Sequence, residues 1–304
     1  MRTPTPRRRR IAAVTTAAAL GLSLAACGDG DSDGGDGGSG EGDTITLGYI
    51  PSWTDGLSTA YLLEHVLEEA GYTVEHEEIS EAGVLYTALA EGDVDMYPSA
   101  WPEVTHASYM EQYGDRIEDI GAYYDSAVLT LAVPEYSEIT SIAELPEYAD
   151  ELGGRIVGIE PGAGLTEATQ ESVFPAYGLE EAGYSLATSS TATMLTELGN
   201  AIDRQEEIVV TLWRPFWANA EYNVRDLEDP EGALGEPEAL HFLGREGFAE
   251  DFPEVAEWIE GIQLSDEEYG ALEDLVVNEH GDDPAAGVAA WMEEHADVVG
   301  TPAS

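Results

Sequence analysis

The sequence predicts an α/β fold in two lobes, with a ligand cleft between them and a helical C-terminal part. Three observations carry this. From Thr44 on, short apolar runs of period two alternate with longer runs of helical period. Several of those short runs end in a tryptophan followed by a turn. From about Phe252 the strand pattern stops and helical runs follow one another.

In order, "TITLGYI" (44–50) reads as a strand, and Leu57, Ala60, Tyr61, Leu63, Val66, Leu67 and Ala70 then recur at helical spacing up to Gly71. "YTVEHEEI" (72–79) is a strand and Ala82, Leu85, Ala88 and Leu89 mark a helix; "DVDMY" (93–97) is a strand again. "VLTLAV" (128–133), "RIVGI" (155–159), "YSLAT" (184–188) and "EIVVTLW" (207–213) continue the alternation, which predicts largely parallel sheets. "FPEVAEWIEGI", "DEEYGALEDLVVNEH" and "PAAGVAAWMEEH" are the closing helices. The economical layout gives residues 44–128 with 226–304 to one lobe and 129–225 to the other.

The first 27 residues read as a leader. Arg2 and Arg7 to Arg10 form a basic start, and Ile11 to Leu24 is mostly apolar but too short for a membrane span. The stretch ends in "LAAC" at Cys27, the only cysteine, so no disulfide forms within the chain. Small residues before a cysteine resemble a bacterial lipoprotein signal, in which that cysteine is lipidated; an ordinary secretory signal is the plainer reading. The four consecutive arginines also fit twin-arginine export. Residues 28–43 are nearly all Gly, Asp and Ser, with no apolar face to bury, and read as a linker. "DGDSDG" within it matches half of a calcium loop, but the twelfth position is Gly40 rather than Glu.

All 11 basic residues are arginine, and five lie in the leader, so the rest of the chain sets six cations against 62 acids, a formal charge of −56. That excludes nucleic acid as a partner, because its binding requires phosphate neutralisation. It also opposes docking on anionic lipid through the protein surface, and it suits a salty habitat. A 43% hydrophobic content still supports a large core or two smaller ones.

Of six tryptophans, Trp258 and Trp291 fall on amphipathic C-terminal helices and read as packing. Trp53, Trp101 and Trp213 stand just past strand ends, where open α/β sheets face their ligand crevice. Each alone reads as core; together they can converge. Indole faces attract cations, by about 0.5–2 kcal/mol per ring, and a quaternary ammonium suits them because it is weakly solvated. A sugar or nucleobase is the competing occupant.

In series, "IPSWTDG" (50–56), "SAWPEVTH" (99–106), "VGIEPGAGL" (157–165) and "VVTLWRPFW" (209–217) resemble motifs of the extracytoplasmic substrate-binding lipoproteins of glycine betaine and choline ABC transporters. The resemblance runs from about Thr44 to the C-terminus. It implies a two-lobed periplasmic-binding-protein fold, type II-like, that closes on its ligand. It implies a tryptophan cage of Trp53, Trp101 and Trp213 with Trp217 behind it, and a tail carboxylate held by His106 and the backbone amides at Gly158 and Ile159. It further implies a membrane permease and its ATPase as partners, a lipid anchor, and action as a monomer without cofactor or metal.

Three of these residues also have plainer readings. His106 reads as a surface histidine, "GIEPGAGL" as an ordinary strand-to-helix turn, and Asp55 as the cap of the helix starting near Gly56. In the choline-binding branch the acid of "WTD" accepts the choline hydroxyl, so Asp55 favours choline while His106 favours betaine. Tyr123 and Tyr124 are further aromatic candidates. The rival readings are a secreted glycosidase-like enzyme, since acid pairs are abundant among 62, and a surface adhesin. The nucleophile-elbow and zinc-protease motifs are absent.

Overall fold

A computed structural model describes residues 44–303. The expected leader, the lipidated Cys27, the linker and its half calcium loop lie outside the described residues.

The described chain begins with β1 (Thr44–Tyr49), α1 (Thr54–Glu69), β2 (Thr73–Glu78), α2 (Ala82–Glu91), β3 (Met96–Ala100) and α3 (Ala107–Tyr113). β1 pairs in parallel with β2 on one side and β3 on the other. Its buried Ile45, Leu47 and Tyr49 meet the apolar stripe of α1, where Leu62, Leu63, Val66 and Leu67 are buried. α2 stops at Gly92, whose φ of +77° is open to glycine at little cost.

A single long strand, β4 (Ile117–Pro134), follows. There follow β5 (Arg155–Val157), α4 (Gly164–Ala168), α5 (Phe174–Ala176), β6 (Ser185–Ala187), α6 (Thr191–Arg204), β7 (Val210–Arg214), α7 (Ala218–Glu221) and β8 (Val224–Asp226). Ser190 caps α6 by accepting the Thr193 N–H. The chain returns through β9 (Glu238–Arg245) to α8 (Phe248–Asp251), α9 (Pro253–Glu260), α10 (Asp266–Glu273) and α11 (Pro284–Val299). Ser265 and Glu268 form a reciprocal capping box at the start of α10.

Strand order is β2–β1–β3–β9–β4–β7–β5–β6, with β8 also on β4. Residues 117–127 of β4 pair with β9, and residues 128–134 with β7 and β8. One strand therefore joins two sets of partners. The sheets are mixed rather than largely parallel, against the expectation from sequence. β1–β2, β1–β3, β5–β6 and β5–β7 are parallel, but β3–β9, β4–β9, β4–β7 and β4–β8 are antiparallel. The strands that carry the chain across and back run against their neighbours. The first two-thirds of β4 and all of β9 escaped the periodicity reading. Register shifts between Asp119 and Ala127 reset the alternation of β4, and polar Glu238 and His241 interrupt β9 although both are buried.

Trp258 and Trp291 are buried in packing, their indole N–H groups donating to the carbonyls of Val299 and Glu268. Among the described residues no helix is long and apolar enough to cross a membrane.

Candidate binding site between the lobes

The turn after β1 closes with the Trp53 N–H donating to Ile50 O at 2.9 Å, which leaves Trp53 as the residue before α1. After β3, the loop 101–106 closes through His106 N–H to Trp101 O at 2.8 Å. The loop is fixed from below by buried Glu238, whose carboxylate accepts the backbone N–H groups of Glu103, Val104 and Thr105 and the Thr105 hydroxyl. Trp213 is the penultimate residue of β7 and stacks on Phe216, ring centres 4.0 Å apart. After β5, the chain passes Ile159 and Glu160 before entering α4.

These strand ends meet at one small cavity of about 30 Å³. Of the residues expected from sequence, Trp53, Asp55, Trp101, His106, Ile159 and Trp213 all line it. Thr105, Leu129, Ala163, Gly164 and Leu165 complete the wall. The three indoles are 5–9% exposed, so each is packed on its neighbours while it lines the cavity.

Gly158 does not line the cavity. Its N–H donates to Ala187 O at 2.9 Å, continuing the pairing of β5 with β6, so that amide is spent within the sheet. Tyr123 and Tyr124 stand behind the wall instead. Tyr123 OH pairs with Ser99 Oγ at 2.7 Å and Tyr124 OH donates to Asp266. Trp217 packs on Phe216 and Tyr222, away from the cavity.

Asp55 is not a helix cap. No side chain caps α1, and the Asp55 carboxylate accepts from Ser99 Oγ at 2.8 Å and Trp101 Nε1 at 3.0 Å. Burial raises its pKa above the usual carboxylate range, and those hydrogen bonds oppose the rise. His106 is not a surface residue either. It is 2% exposed, and burial pulls its pKa down to about 3. The Trp101 backbone N–H donates to Nδ1 at 3.3 Å, so Nδ1 is an acceptor and the neutral ring carries its proton on Nε2. Trp53 lies nearly parallel to that ring, 6.0 Å between centres.

Two site residues were missed from sequence. Glu160 is buried and accepts four hydrogen bonds, from Ser52 Oγ (3.3 Å), Trp53 Nε1 (3.2 Å), Thr191 N (3.0 Å) and Thr191 Oγ1 (2.8 Å). A readable hint was an acid between Ile159 and Pro161 in an otherwise uncharged turn. Glu238, one acid among many, gave no such signal. The resulting chemistry is distinctive: indole faces, one buried acid in the wall, another behind Trp53, a neutral imidazole donor, and no arginine among the lining residues. Such a site attracts a cationic group and offers a donor to an acceptor beside it.

Fold and site together define a two-lobed substrate-binding protein of the periplasmic-binding-protein class. Residues 43–294 match the family described as the substrate binding domain of ABC-type glycine betaine transport system, and the chain belongs to that family. The family comprises transport binding proteins, not enzymes. The chain is 31% identical over 153 residues to the glycine betaine/carnitine transport binding protein GbuC of Listeria monocytogenes, a match spanning 50% of each chain. Among solved structures it resembles the glycine/betaine/L-proline-binding protein ProX of Borrelia burgdorferi, with a TM-score of 0.78 and 30% identity. That likeness covers 86% of this chain and 97% of the other. It also resembles lactococcal OpuAC, closed on glycine betaine, with a TM-score of 0.77 and 27% identity over 84% of this chain and 98% of that one.

Proposed function

We propose that this protein captures glycine betaine or a close quaternary ammonium relative between its lobes and delivers it to an ABC permease driven by a partner ATPase. The observation that carries the reading is the meeting of Trp53, Trp101 and Trp213, from three strand ends, in one cavity with His106. The indole faces take the trimethylammonium head. The Nε2–H of His106 and the backbone N–H of Ile159 take the tail carboxylate. Contacts from both lobes favour the closed state by differential affinity.

A choline-preferring site is the second reading, because Asp55 lines the cavity and is suited to accept a hydroxyl. A calorimetric panel of glycine betaine, proline betaine, carnitine and choline separates the two. Trp101→Ala should weaken binding at least about tenfold, followed by intrinsic fluorescence. Unchanged affinity would remove Trp101 from the site.

The lobes are proposed to comprise residues 44–128 with 226–304, and 129–225. The change of β4 partners between Ala127 and Val128 supports the first crossing. The protein is further proposed to work outside the cytoplasm as a monomer, tethered by lipid on Cys27. Cys27→Ser should release it from the membrane fraction.

A further inference from the structure

The lobes are joined at the cleft by contacts that need no ligand. Tyr109 OH, from the first lobe, donates to Gly162 O at 2.8 Å in the second. Gly164 approaches Thr105 so closely that a Cβ there would lie 1.9 Å from the Thr105 carbonyl oxygen. At the centre of this contact sits Glu160. Its Oε1 accepts from Ser52 Oγ of the first lobe and from Thr191 N of the second. Its Oε2 accepts from Trp53 Nε1 of the first and from Thr191 Oγ1 of the second. Each oxygen therefore has one partner on either side of the cleft.

We propose that Glu160 is a closure latch and a positioning residue. Held in its own lobe by Thr191, it receives Ser52 and Trp53 only when the lobes come together, and so fixes the Trp53 ring at the moment of closure. The two Thr191 bonds survive opening because both partners move together. The Ser52 and Trp53 bonds do not. Closing thus gains two hydrogen bonds to an acidic group before any ligand contact is counted, and one of them sets the plane of a cavity wall.

The donor set explains why an acid is required. Thr191 N–H faces Oε1 and Trp53 Nε1–H faces Oε2, and neither can turn into an acceptor. A glutamine at 160 would aim its NH₂ group at one of them in either flip. Substitution by glutamine therefore opposes donor to donor at a buried point, although size and shape are kept.

The proposal deepens the capture reading and rests on it for its consequence in binding, but its test does not need a ligand. Hydrogen–deuterium exchange of the ligand-free protein should be compared for wild type and Glu160→Gln. Amides in segments 52–57 and 160–166, which face each other across the cleft, should exchange about tenfold faster in the variant, while those of β1 and β5 stay unchanged. Unchanged exchange at the cleft, or equal acceleration throughout both lobes, would overturn the latch. Ser52→Ala removes one crossing bond without touching the core and should give a smaller acceleration, about two- to threefold, confined to the same segments. No effect there would also count against the latch. With glycine betaine added, Glu160→Gln should raise the dissociation rate about tenfold and leave association nearly unchanged. If wild type binds no quaternary amine, the capture reading falls, and the exchange result still decides the latch.

Discussion

Trp101, just after β3, and Asp55, in the first turn of α1, meet through one hydrogen bond: the indole Nε1–H donates to Asp55 Oδ2 at 3.0 Å. The acid thus orients a cavity wall while lining the cavity itself. Ser99 Oγ donates to the same oxygen, so an asparagine carbonyl can replace that oxygen and keep both bonds. Asp55→Asn should preserve the fold and the Trp101 orientation while removing a buried negative charge. Choline, a net cation, should lose about tenfold in affinity, and zwitterionic glycine betaine less than about threefold. Equal losses by calorimetry would make Asp55 a scaffold for Trp101 alone.

His106 gives the opposite discrimination. His106→Ala should weaken glycine betaine by about tenfold or more and choline much less, because only the former has a carboxylate for Nε2–H. With the folded pKa down at about 3, the ring stays neutral across pH 5 to 7 and should not impose a pH dependence on affinity there. The unfolded histidine takes up a proton below about pH 6.5 while the folded one does not until about 3, so stability from this group falls as pH drops through that window.

Glu273 acts in the other direction. It is buried beneath α1, accepts the Thr54 hydroxyl at 2.6 Å, and has its pKa pushed up to about 8, mainly by burial and further by nearby Asp55. The folded state keeps this proton where the unfolded state has lost it, so the contribution is complete below about pH 4.5 and declines as pH rises through about 8. Glu273→Gln, which imitates the protonated form, should flatten the decline between pH 6.5 and 8 by up to about 1.4 kcal/mol per unit. Urea unfolding at the two pH values measures it; identical slopes would refute the assignment.

Gly164 tests closure by size alone. It begins α4, where alanine is the better helix former. Yet a Cβ would collide with the backbone of Thr105 across the cleft. Gly164→Ala should therefore leave the melting temperature within a few degrees of wild type and weaken ligand binding by about a hundredfold. Intact affinity would show that the lobes do not need to approach this closely.

The sequence by itself determined the strand-and-helix order through β7, the helical C-terminal part, and the strand-end placement of Trp53, Trp101 and Trp213. Those features depend on local periodicity and on chain punctuation, which a single segment carries within itself. Only the tertiary structure decided that Asp55 orients Trp101 instead of capping α1, that Gly158 spends its amide on Ala187, and that His106 is buried with its proton on Nε2. It alone revealed the acids of Glu160 and Glu238 as fixed points, since their partners lie 31 to 135 residues away. A hydrogen bond between distant segments leaves no period in the sequence. In a chain with 62 acidic residues, the few that are buried differ from the rest only in what folding brings against them.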